Sequence, residues 1–137
     1  MAAITKQTPG LASLLPGPGE QLPDGNVNNV ALVAGDIVYL TSAGYIAKAI
    51  ATDGTAVTDK AIGIVPKDYA INKPVTIHNG PVSYHYAEEG TLTPGSKVYL
   101  SGAVAGGLNT AAFYVGAPAI GYVERNGGSV RFYDFRN

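Results

Sequence analysis

Leu32-Val33-Ala34-Gly35-Asp36-Ile37-Val38-Tyr39-Leu40 has a near copy further along the chain, Leu92-Thr93-Pro94-Gly95-Ser96-Lys97-Val98-Tyr99-Leu100. In each stretch the glycine permits a tight turn, and the Val-Tyr-Leu that follows favours a pleated strand. A second echo comes later in the same order: Ala61-Ile62-Gly63-Ile64-Val65 and Ala119-Ile120-Gly121-Tyr122-Val123. Gly63 and Gly121 sit inside strand-like runs, where a missing side chain allows a bulge or a close backbone crossing. A third pairing sets Val75-Thr76-Ile77 against Val130-Arg131-Phe132. These matches predict an all-β fold built of two similar β-units, pseudo-repeats at about 30–80 and 90–135. Packed together, the units make a small barrel or sandwich with one core.

Outside the echoes the signals are again those of strands. Val82, Tyr84 and Tyr86 alternate with Ser83 and His85, and Tyr45 to Ala49 follows the Ala43-Gly44 turn. Asn79-Gly80 and Asn126-Gly127 read as hairpin turns. No stretch holds a helical period long enough to compete; Thr110 to Val115 offers a single turn at most.

Residues 1–29 differ from the compact β-domain expected over 30–137. Pro9, Pro16, Pro18 and Pro23 forbid a helix and cannot sit in a central strand. Leu11, Leu14, Leu15 and Leu22 are interleaved with them, more apolar than a disordered tail. The segment reads as an extended arm that docks on a neighbouring subunit. The leucines favour that reading over a floppy terminus or an arm packed on its own domain.

Composition narrows the function. Cysteine is absent, which removes disulfides, thiolate metal sites and cysteine nucleophiles. Charged residues are 14% of the chain and the net charge is −1, so the basic face that nucleic acid demands is missing. No apolar run is long enough to span a membrane as a helix, and the N-terminal residues lack a signal-peptide core, so synthesis in the cytoplasm is expected.

Candidate chemistry is thin. His78 and His85 flank the Asn79-Gly80-Pro81 turn and, with Glu88 and Glu89, could sketch a metal or acid–base site, but ordinary surface histidines fit better. Asp53-Gly54-Thr55 with Asp59 lacks the alternating ligands of a calcium loop and reads as a plain turn. Ser101 to Gly107 opens no helix and carries no phosphate-binding lysine; it reads as a mobile hairpin loop. No nucleophile elbow occurs. The expectation is a non-enzyme without metal or cofactor. Arg125 and Arg131, alternating with Phe132, Tyr133 and Phe135, fit an edge strand or a protein contact better than a nucleic-acid platform.

Taken with the arm, the Ala34-Gly35-Asp36-x-Val38-Tyr39 and Pro94-Gly95-Ser96-x-Val98-Tyr99 motifs and the two Ala-Ile-Gly-x-Val strands give the chain a recognisable pattern. It resembles the head-decoration, or capsid cement, proteins of tailed bacteriophages. The resemblance implies a β-tulip-like barrel and a virion protein on the outer capsid surface. It also implies the major capsid protein as partner, self-association as a homotrimer, and an arm that extends a capsid strand. On that basis Ile4, Leu11, Leu14, Leu15 and Leu22 are expected to touch a neighbouring subunit, and deletion of residues 1–22 should leave a folded domain that no longer binds shells. Two other readings compete. One is a phage tail, baseplate or fibre module binding surface glycans through Tyr84, Tyr86 and Glu88. The other is a small β-barrel enzyme or ligand carrier with a closed polar pocket.

Overall fold

The computed structural model describes residues 3–4, 19–21, 28–86, 92–125 and 129–135. The described strands are β1 (Ala3–Ile4), β2 (Gly19–Gln21), β3 (Ile37–Leu40), β4 (Ile46–Lys48), β5 (Gly63–Ile64), β6 (Thr76–His78), β7 (Val82–His85), β8 (Lys97–Leu100), β9 (Leu108–Asn109), β10 (Gly121–Val123) and β11 (Ser129–Phe132). Among the described residues there is no α-helix, only a 3-10 turn at Val57–Asp59. The strands form two antiparallel sheets, in the orders β2-β6-β5-β3-β4 and β1-β9-β8-β10-β11-β7.

Written from its other edge, the larger sheet runs β7-β11-β10-β8-β9-β1. Its first five strands match the smaller sheet one for one, and the match extends to single hydrogen bonds. Gly35 N donates to Val65 O and Gly95 N to Val123 O, both at 2.8 Å. Ile62 N reaches Val38 O and Ile120 N reaches Val98 O, both at 2.9 Å. Val38 stands opposite Gly63, and Val98 opposite Gly121. Gly35 and Gly95 turn with φ of 88° and 86°, a conformation that costs any other residue about 1–2 kcal/mol. The first two echoes therefore mark equivalent places in two copies of one unit.

The third echo is real but two residues out of step. A Cβ on Gly63 would point at the His78 carbonyl, and one on Gly121 at the Arg131 carbonyl. His78 thus corresponds to Arg131, and Ile77 to Val130 rather than to Phe132. A slip of two keeps the same face inward, which is why the apolar pattern alone did not reveal it. Each unit also starts one strand earlier than its echo, with β2 and β7 as equivalents. Asn79-Gly80 does not close a hairpin, because β6 and β7 lie in different sheets; the chain crosses from one sheet to the other there.

The units stack front to back. Val98, Leu100, Val123, Val130 and Phe132 of the second unit pack with Ile37, Ile64, Ala49 and Ala51 of the first. Val38, Ile46, Val65 and Ile77 correspond to front-face residues of the second unit, yet they belong to a separate cluster with Leu32, Tyr69 and Val75. Each such side chain contributes about 1.5–3 kcal/mol when fully buried. The cover over this second cluster is the long β5–β6 connection. Asn28, fully buried, pins it: its Nδ2 donates to Val30 O (2.8 Å) and Ala70 O (2.6 Å), and its Oδ1 accepts from Lys73 N (2.8 Å). Among the described residues the front of the second unit has no such lobe; it packs instead on the back of the first unit's sheet, and its own back carries the exposed Lys97, Tyr122 and Tyr133.

Two pieces of the expected arm are described, and both pair with this chain's own sheets. Ile4 of β1 stands opposite Leu108, and Gly19–Gln21 of β2 opposite Thr76–His78. Leu11, Leu14, Leu15 and Leu22 lie outside the described residues.

Candidate functional site

The residues singled out for chemistry are occupied with their own loops. Asp53 Oδ1 accepts from Thr55 N (3.0 Å) and Thr55 Oγ1 (2.7 Å), and Asp59 Oδ1 from Thr52 N (2.6 Å). The Thr55 hydroxyl, foremost, holds the Asp53 carboxyl below its usual value. These oxygens stiffen a turn and do not converge on a ligand. In the glycine-rich loop, Ser101 Oγ accepts from Ala103 N (3.1 Å) and Val104 N (3.0 Å), the amides a phosphate would need. That loop is tied down, contrary to the mobile hairpin expected: Ile37 N donates to Gly106 O (3.0 Å) and Gly106 N to Ala49 O (2.7 Å).

The two histidines do not meet across a hairpin. His78 ends β6, while His85 ends β7 opposite Ser129 in the other sheet. His78 is half-buried, and its Nδ1 is buried with no hydrogen-bond partner among the described residues. Desolvation holds its imidazole below the usual value. Among the described residues no three His, Cys, Asp or Glu side chains come together as a metal site; Glu88 and Glu89 lie outside them.

Tyr84 and Tyr86, considered for a sugar site, are core residues with ring centroids 4.7 Å apart. Tyr86 OH donates to Gly35 O (3.0 Å), joining the second unit to the turn of the first. Burial pushes its phenol well above the ordinary value. Tyr84 OH is buried with no partner among the described residues.

A shallow groove of about 440 Å³ runs where the lead-in segments of the two units come together, Lys60–Ile62 and Pro118–Ile120, with Tyr133 and Phe135 on its wall. It is mostly apolar and open, and its lining also includes Asp59, Lys60 and Asp134.

The C-terminal basic and aromatic set divides. Phe132 is fully buried in the core, because β11 alternates and Val130 and Phe132 point inward; it is no surface contact. Phe135 is half-buried, its ring 5.8 Å from that of Phe132. Arg125 is exposed, Tyr133 is 45% exposed, and Arg131 lies half-buried with Nη1 3.4 Å from Ser83 Oγ. Arg131 and Tyr133 join residues that sequence reasoning left out. Lys97 stands opposite Tyr122, Tyr122 opposite Arg131, and Arg131 opposite Ser83, a row across four strands. Tyr99 and Tyr133 lie two residues along from Lys97 and Arg131, and the Tyr122 and Tyr133 rings are 6.0 Å apart. This is the uncovered back of the second unit. The signal was present in the echoes, since Ile37 and Ile64 of the first unit are replaced by Lys97 and Tyr122.

No protein-family model matches the chain, and no similar sequence is found among the curated proteins.

Proposed function

We propose that the chain is a structural virion protein that binds the outer surface of a tailed-phage capsid and cements neighbouring major capsid subunits, as a homotrimer. It acts without cofactor or catalysis and touches neither nucleic acid nor membrane. The observation that carries this reading is the duplicated turn-and-strand unit, whose two copies share register and hydrogen bonds and whose sequence form resembles the capsid-decoration proteins. Supporting it, the acidic loop and the glycine-rich loop spend their polar groups internally, and the groove is open and mostly apolar. The glycan-binding alternative loses its Tyr84–Tyr86 platform, which is buried.

A cement role asks for many modest contacts repeated over a shell, so that avidity replaces a deep pocket. Binding only the expanded shell would stabilise it by mass action. The test is co-sedimentation of the protein with purified expanded and unexpanded shells of its phage, alongside its copy number in virions. Saturable binding to expanded shells and a copy number comparable with that of the major capsid protein are expected. A copy number of tail parts, or no shell binding, refutes the reading. The arm is tested by deleting residues 1–18, which spares β2; the truncated chain is expected to fold and to lose shell binding.

A further inference from the structure

The first unit's back face receives the front of the second unit, through Ile37 and Ile64. The equivalent face of the second unit has no partner within the described chain, and its residue types differ accordingly. Lys97 replaces Ile37 and Tyr122 replaces Ile64, with Arg131 and Tyr133 beside them. Tyrosine and arginine are the side chains most enriched where proteins meet, because each combines a large rigid apolar body with polar ends. Charge on this face runs against that of the whole chain. Among the described residues, Lys97 and Arg131 stand in the row, and Glu124 and Arg125 follow at the end of β10, on a protein of net charge −1. The patch is also built: registered pairing across four strands fixes the row, and Arg131 is braced on Ser83.

We infer that the outward back face of the six-stranded sheet, centred on Lys97, Tyr122, Arg131 and Tyr133, is a docking surface for an acidic protein partner. The inference deepens the proposed function by giving the chemistry of the surface on which the protein lies. Electrostatic complementarity selects the partner and speeds encounter, while the tyrosines supply contact area. The two cations of this row are too few for nucleic acid, whose phosphate row draws on a longer basic stripe.

The probe is an oligoglutamate peptide titrated into the full chain and followed by amide NMR, with a heparin oligosaccharide and a DNA duplex as parallel arms. Shifts confined to β8, β10 and β11 are expected, weakening as salt rises. Lys97→Glu with Arg125→Glu, both exposed positions, is expected to weaken the peptide about ten-fold, whereas Lys73→Glu on the lobe leaves it unchanged. No peptide binding, shifts on another face, or tighter binding of heparin or DNA at this face each overturns the inference. The same variants in the shell assay separate the two claims. If shells bind wild type and Lys97→Glu/Arg125→Glu equally, this inference fails alone. If shells do not bind wild type, the cement reading fails while the peptide result stands.

Discussion

Gly121→Ala tests the duplicated architecture at its tightest point. A Cβ there would lie 2.4 Å from the Arg131 carbonyl oxygen and 3.1 Å from Phe132 Cα. A carbon and a carbonyl oxygen between strands settle at about 3.3–3.6 Å, so β10 and β11 must part by about 0.9 Å or more. That stretches the ladder over Gly121–Val123 and Phe132–Val130. Two or three hydrogen bonds at about 1 kcal/mol each are weakened, and the Phe132 packing loosens as well. The expected cost is about 2–4 kcal/mol, or roughly a 6–15 °C fall in Tm for a domain of this size. Gly63→Ala meets the His78 carbonyl at 2.8 Å and should cost less. Gly116→Ala is the control for backbone strain, with φ of +87° and nothing within 4 Å; about 1 kcal/mol is expected. Thermal and urea unfolding of the three variants gives the ranking. If Gly121→Ala costs no more than Gly116→Ala, the close strand crossing is not what requires glycine.

Four further outcomes are expected. Phe132→Ala should lose about 3–5 kcal/mol in urea unfolding, while Tyr133→Ala loses less than about 1 kcal/mol, separating core from surface on adjacent residues. Tyr86→Phe should cost about 1–2 kcal/mol, because the buried Gly35 carbonyl loses its donor, whereas Tyr84→Phe should be neutral or stabilising, because its hydroxyl is buried without a partner. His78 has a folded pKa below its unfolded value of about 6.5, so the unfolded chain takes up the proton first and stability should fall as pH drops below that point. His78→Asn should flatten that pH profile in unfolding titrations. Asn28→Ala should free the lobe it pins, seen as faster amide exchange over 66–75 with a loss of about 1–3 kcal/mol.

The all-β fold was legible because turn glycines and strand triplets recur in order, and local chemistry there agrees with tertiary placement. The register of the last strand was not, because alternation repeats every two residues and a slip of two looks the same. Asn79-Gly80 misled for a related reason: the dipeptide specifies a turn but not which sheet the next strand joins. Phe132 was placed at the surface because Arg131 and Tyr133 flank it, although alternation assigns these neighbours to the opposite face. The outward row of Lys97, Tyr122 and Arg131 needed three strand registers at once, and no local pattern carries those. Asn28 was invisible because its partners, Ala70 and Lys73, lie far along the chain.

The front-to-back join between the units has a direction, and a directional join between like objects does not terminate by itself. A third unit could in principle follow the second, and another could precede the first, as in a fibre. Here both ends are stopped: a folded-over connection plugs one, and lysine and tyrosine stand where isoleucine would invite another copy at the other. Shortening that plug while restoring isoleucine at position 97 would recreate two complementary sticky ends on one molecule, the recipe for runaway polymers. The chain thus carries, in a dozen residues and a few charges, the difference between a discrete building block and an endless one.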